Sequence, residues 1–177
     1  MTTLETERLI LRALRLSDLN DFYHYCKKET IGPNAGWKPH ESIEEAYRIL
    51  NMMINENEVW GIEHKENHHL IGTVGLHVRN FDNALANRKE IGYVLDDTYW
   101  NQGYMTEAVR KVIEYAFIDE ELDEVLCGHS ISNLRSKRVI EKTGFIYTHD
   151  EERDHYDGTK IMISMYKLEN KRKKDES

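Results

Sequence analysis

Cysteine, proline, excess positive charge and long apolar runs are all scarce in this chain. Its two cysteines, Cys26 and Cys127, stand far apart and outside any CxxC or Cys/His ligand spacing. That argues against a disulfide framework and a structural zinc site, and it leaves both residues as small buried hydrophobes. With two prolines and ten glycines among 177 residues, the chain has no Pro/Gly/Ser linker and no low-complexity segment at which to divide. No apolar stretch reaches the ~20 residues that cross a bilayer. The opening Met1 to Ala13 carries Glu5, Glu7, Arg8 and Arg12 where a signal peptide needs an apolar run. The expectation is a cytoplasmic protein with no membrane partner. The formal charge of −8 speaks against non-specific nucleic-acid binding, which relies on basic surface to neutralise phosphates, and it suits a cationic substrate better.

What is present is the balance of a folded domain: 40% hydrophobic and 32% charged residues. The length fits one domain, expected over residues 1–170, followed by a charged tail over 171–177 whose Lys171-Arg172-Lys173-Lys174 reads as a solvated end. Leu9-Ile10-Leu11 reads as a strand, and Ser17-Asp18 starts a helix through Leu19, Phe22, Tyr23 and Cys26. Ser42-Ile43-Glu44-Glu45 has capping-box spacing ahead of Ala46, Ile49, Leu50 and Met53, which repeat at helical period. Val59 to Ile62 and Leu70 to Leu76 read as a hairpin, Glu90 to Leu95 as a further strand, and Thr106 to Phe117 as an amphipathic helix. A short strand at Glu124 to Cys127, a helix from Leu134 to Lys142 closed by Gly144, and strands at Phe145 to Tyr147 and Lys160 to Leu168 complete the order. The expected class is an α/β (α+β) mixture around one mostly antiparallel sheet.

Two segments carry chemistry. In Gln102-Gly103-Tyr104-Met105-Thr106 a glycine turn runs from a strand into a helix, whose first N–H groups lack intrahelical partners and suit an anion such as pyrophosphate. There is no GxGxxG and no GxxxxGK[ST] to indicate a dinucleotide or a nucleoside triphosphate. In Asn133 to Phe145, Asn133 caps a short helix and Ser136 lies one turn in, among Arg135, Lys137 and Arg138. His64, His68 and His69 read as a solvated hairpin turn rather than metal ligands. No metal is expected.

Thr6-Glu7-Arg8-Leu9-Ile10-Leu11-Arg12, Glu90-Ile91-Gly92-Tyr93, Trp100 to Ala108 and Asn133 to Phe145, in that order and spacing, resemble the GNAT acetyltransferase superfamily. Within it the sequence is most similar to the ribosomal-protein N-terminal (RimJ/RimL-type) branch. The resemblance implies a mixed central sheet of about seven strands flanked by about four helices, with two central strands splayed apart. It implies acetyl-CoA as co-substrate, with Val94 and Leu95 offering main-chain groups to the pantetheine arm and the Val94 amide as oxyanion donor. Gln102, Gly103, Tyr104, Met105 and Thr106 match the pyrophosphate loop, and Asn133 and Ser136 the second cofactor-contacting helix. Ser136 stands where the leaving thiolate needs a proton, and Glu90 or Asp154 is the carboxylate that takes one from the acceptor amine. Trp37 and His40 border the acceptor site. Asn101 and Met105 depart from the family's usual small residues, which keeps open a non-catalytic CoA-binding module as a rival reading. The implied acceptor is a protein N-terminus or a small amine such as a polyamine, and a homodimer is the implied assembly.

Overall fold

The computed structural model describes residues 1–79 and 87–174. Eight strands form one sheet: β1 (Leu4–Glu5), β2 (Leu9–Ala13), β3 (Val59–His64), β4 (Leu70–His77), β5 (Arg88–Leu95), β6 (Glu124–Ser130), β7 (Ile146–Asp154) and β8 (Lys160–Glu169). Their order is β1-β2-β3-β4-β5-β6-β8-β7, and every neighbouring pair is antiparallel except β5 and β6. The helices are α1 (Leu19–Cys26), α2 (Gly32–Ala35), α3 (Ile43–Glu56), α4 (Tyr104–Ile118), α5 (Leu134–Lys142) and α6 (Lys171–Lys174). Among the described residues no helix is long and apolar enough to cross a membrane.

Alternation along the strands divides the core into two layers. Ala108, Val109, Val112 and Ala116 of α4 and Ile140 of α5 pack with Leu9, Leu11, Ile62, Ile91 and Val125 of the sheet. Phe22, Tyr25 and Cys26 of α1 and Ala46 and Leu50 of α3 form the second cluster, with Leu14, Ile31 and Leu70. Adjacent residues of β5 fall on opposite sides: Tyr93 packs against the first cluster and Val94 against the second. Both cysteines are buried, and burial pushes both thiols far above their ordinary range, so they behave as small apolar groups.

The sequence expectations hold for the four longer helices and for seven strands. The eighth, β1, pairs only Leu4 with Leu11 and Glu5 with Ile10, too short a stretch to show a period of two. Strand β7 is longer than expected and takes in the acidic run Asp150 to Asp154, because an exposed edge strand carries polar residues on both faces and leaves no alternating signal. Between α1 and α3, Gly32 to Ala35 fold into the short α2 with proline in its first turn. Lys171-Arg172-Lys173-Lys174 forms the single-turn helix α6 rather than a frayed end, with Asn170 Oδ1 accepting from Arg172 N at 3.2 Å. The rest of the tail expected over 171–177, residues 175–177, lies outside the described residues. His64 is a correction: it is not a solvated turn residue but the buried end of β3, with Nε2 at 2.9 Å from the Tyr104 hydroxyl.

One irregularity in the sheet opens the candidate site. Strands β5 and β6 pair only from Arg88–Glu124 to Ile91–Cys127. Beyond that point β5 stays paired to β4 as far as Leu95, and β6 stays paired to β8 as far as Ser130. The two strands part there and leave a wedge between them.

Candidate active site

The wedge opens into a cleft of about 1060 Å³ that runs between the two helical layers. Gly72 of β4 fixes the position of its β5 wall, since a Cβ there would lie 2.2 Å from the Val94 carbonyl oxygen. That carbonyl therefore faces β4. In an antiparallel strand the N–H and C=O of one residue point the same way and those of the next residue the opposite way. The Leu95 main chain accordingly faces the wedge, and its carbonyl accepts from the Trp100 indole N–H at 2.9 Å. Of the two residues expected to offer main-chain groups, Leu95 has the suitable orientation.

The turn into α4 takes two left-handed residues, Asn101 at φ 59° and Gly103 at φ 81°. Asparagine tolerates this conformation better than most residues with a side chain, which accounts for Asn101 where the family usually has glycine. Met105 is buried in the apolar cluster under α4, so it adds little bulk to the turn's outer surface. The start of α4 has no side-chain cap, and its first N–H groups are left for an outside acceptor. Gly103, Tyr104, Met105 and Thr106 line the cleft. Gln102 does not: its side-chain amide turns to the Thr98 carbonyl at 3.3 Å and its own carbonyl turns to Arg8.

Across the wedge, Asn133 Oδ1 accepts from Ser136 N at 3.2 Å, as the capping signal predicts. Ser136 Oγ lies 2.8 Å from the hydroxyl of Tyr93, which also donates to the Ser136 carbonyl at 3.2 Å. Tyr93 escaped the sequence reading as a functional residue, although its place between Gly92 and Val94 put it in the right strand. Burial pushes its phenol well above the ordinary range, so the hydroxyl stays neutral and keeps its proton for hydrogen bonding. Arg135 stacks over the Trp100 ring at 3.6 Å, and Arg138 and Lys142 extend the positive wall of this end.

The opposite end mixes aromatic and charged side chains. His40 is 6% exposed; its ring packs 5.6 Å from Phe22 and 5.2 Å from Trp37, and its Nδ1 has no hydrogen-bond partner. Burial holds its imidazole below the ordinary histidine range, against a weaker opposing pull from Glu45. Trp37 and His40 both line this end, as the sequence reading expects. Glu90 also lines it and is 16% exposed, clasped by Arg153 at 3.1 and 3.2 Å and by Arg79 at 3.4 Å. Asp154 sits at the rim with its side chain 86% exposed and ion-paired to Lys160. Thus one cleft gathers every expected catalytic, cofactor-contacting and acceptor residue except Gln102, which stands behind the turn.

Residues 8–146 match the family model of the acetyltransferase (GNAT) domain. YoaA of Bacillus subtilis, an uncharacterized N-acetyltransferase, is 31% identical over 150 residues, which cover 80% of this chain and 81% of YoaA. A GNAT-family acetyltransferase from Bacillus anthracis superposes with a TM-score of 0.85 at 19% identity, covering 96% of this chain and 99% of that one. Ribosomal-protein-S5-alanine acetyltransferase of Vibrio fischeri gives 0.76 at 21% identity over 96% and 97% of the two chains. Spermidine N-acetyltransferase of Vibrio cholerae, solved in complex with CoA and spermine, gives 0.76 at 19% identity over 94% and 98%. At such identities the solved structures speak for the fold alone.

Proposed function

The chain belongs to the GNAT acetyltransferase family, and from that premise we propose that it moves the acetyl group of acetyl-CoA onto the amine of a protein N-terminus beginning with Ser or Ala. The observation that carries this reading is the wedge itself, an open strand edge placed between an uncapped helix start and a hydroxyl pair. The residues present fit the co-substrate: the free N–H groups of α4 suit a pyrophosphate, and Arg135, Arg138 and Lys142 supply positive charge beside it.

Bound acetyl-CoA supplies an activated thioester; the rest is done by the chain. Leu95 N–H donates to the carbonyl oxygen where negative charge develops, a role in which a preorganised backbone donor is effective. Ser136 Oγ gives its proton to the departing sulfur and recovers one from solvent, while the Tyr93 hydroxyl, which burial keeps protonated, fixes its orientation. The proton of the attacking amine leaves toward Glu90 or Asp154. Two arginines clasp the Glu90 carboxylate and occupy its oxygens. Asp154 has one exposed lysine partner. Replacement of each by its amide decides between them, because loss of the base lowers kcat and raises the optimal pH, while loss of a merely solvated carboxylate changes neither.

A polyamine acceptor is the second reading, favoured by Glu45, Glu56, Glu90 and Asp154 on the cleft wall of a chain with net charge −8. Thiol release from acetyl-CoA separates the two: Ser- and Ala-starting peptides turn over under the first reading and spermidine under the second.

A further inference from the structure

Arg8 lies outside the cleft, yet its guanidinium reaches the turn that opens α4 from behind. Its Nε donates to Glu107 Oε2 at 2.7 Å and its Nη1 to the Gln102 carbonyl at 3.0 Å. The guanidinium carbon sits 4.2 Å from the centre of the Tyr104 ring, and Nη2 lies 3.4 Å from where a Cβ on Gly103 would stand. Glu107 is held from the same side, for its Oε1 accepts from Arg8 N at 2.9 Å and from Thr6 Oγ1 at 2.5 Å. The hairpin between β3 and β4 braces the assembly, with Lys65 Nζ donating to the Thr6 carbonyl at 2.6 Å and His64 bonded to the Tyr104 hydroxyl. These contacts join the β1–β2 turn to residues about a hundred positions later, far beyond what α4 needs to pack its apolar face.

The arrangement has an electrostatic meaning. Glu107 is in the first turn of α4, the same turn whose N–H groups face the cleft. Burial works to raise its carboxyl, but the hydrogen bonds from Thr6 and Arg8 outweigh burial and hold it below the ordinary glutamate range. A fixed negative charge there competes for the positive field of the helix start and repels a second anion. The Gln102 carbonyl, one residue before the glycine, is a further negative group that would oppose an anion if it turned toward the cleft.

We propose that Arg8 is a positioning residue for the co-substrate: it cancels the charge of Glu107 behind the anion-binding turn and holds the Gln102 carbonyl away from it. Thr6, Arg8 and Glu107 then form a clamp that sets the turn's position and its electrostatic sign together. This deepens the reading of the cleft as an acetyl-CoA site and rests on it. The 39% exposure of the Arg8 side chain leaves room for substitution.

Calorimetric titration with CoA, run on the wild type, Arg8→Met, Arg8→Lys and Arg8→Met/Glu107→Gln alongside thermal melts, tests the clamp. Arg8→Met leaves Glu107 uncompensated and weakens CoA binding about tenfold or more. Arg8→Lys keeps the charge without the two-pronged geometry and falls between it and the wild type. The double variant removes the offending charge and binds at least about threefold more tightly than Arg8→Met. A role in stability alone predicts no such recovery, since the double variant lacks still more of the clamp. The inference is overturned if Arg8→Met binds CoA as the wild type does, or if the double variant binds no more tightly than Arg8→Met. Should Arg8→Met fail to fold, Arg8→Lys with unchanged affinity overturns it as well. Failure of the wild type to bind CoA contradicts the proposed function instead, and so is distinguishable.

Discussion

Under the proposed mechanism, Ser136 and Tyr93 place much of the chemistry on single atoms. With its hydroxyl 2.8 Å from that of Tyr93, Ser136 is placed to pass on a proton, so Ser136→Ala lowers kcat by on the order of 100-fold while KM for acetyl-CoA changes little. Tyr93→Phe keeps the ring and its packing and lowers kcat about tenfold; steady-state kinetics on both variants check the ranking. His40 gives a pH signature. Burial depresses its folded-state pKa below the ordinary 6.5, so it contributes stability that is fully present above about pH 6.5 and is lost as the pH falls through the lower folded value. Urea midpoints of the wild type and His40→Gln, followed from pH 7.5 down to 5, shift in favour of the variant toward acid. A constant difference across that range would contradict the assignment. Asn133 as a cap and Ser136 behind it were legible from residues three positions apart. The Tyr93–Ser136 bond was not, because its partners are 43 residues apart and meet only when α5 packs beside the splayed strand.

At the scale of elements, the wedge depends on a few close approaches. Gly72→Ala places a methyl group against the Val94 carbonyl, a backbone atom that cannot yield without moving β5. The expected cost is about 1–3 kcal/mol of stability. Weaker CoA binding accompanies it, because Leu95 moves with the strand; denaturant midpoints and calorimetry read the two effects separately. Arg12 of β2 ties two other elements together. It is buried and makes a two-pronged contact with Asp18, at 2.9 and 2.8 Å, while its Nε donates to Glu63 of β3. Arg12→Met removes the guanidinium from two buried carboxylates, leaving Asp18 the Arg15 N–H and Glu63 the His68 ring, and is expected to destabilise by about 3–5 kcal/mol in urea unfolding. The helices of this architecture were legible because their apolar positions recur at helical spacing between recognisable caps, as in α3 after Ser42, whose Oγ accepts from Glu45 N. Strand β7 was truncated in the sequence reading because solvent on both faces erases the alternation on which strand recognition relies.

The molecule as a whole converts one parallel pairing in an otherwise antiparallel sheet into an opening, and helices of both layers contribute to its walls. The turn–helix segment 102–106 and the capped helix from Asn133 pointed to the proposed co-substrate end because anion binding at helix starts leaves a local trace. The acceptor end left almost none. Trp37 with His40, Glu90 and Asp154 come from three separate stretches of chain, and their mutual placement follows from long-range packing rather than local pattern. The most direct test of the central claim is to titrate the purified protein calorimetrically with acetyl-CoA and then follow thiol release in the same sample as Ser- and Ala-starting peptides and spermidine are added. The account predicts saturable binding and thiol release that depends on the amine, with the peptides turned over faster than spermidine. Binding with no release for any amine, or no binding at all, would contradict it.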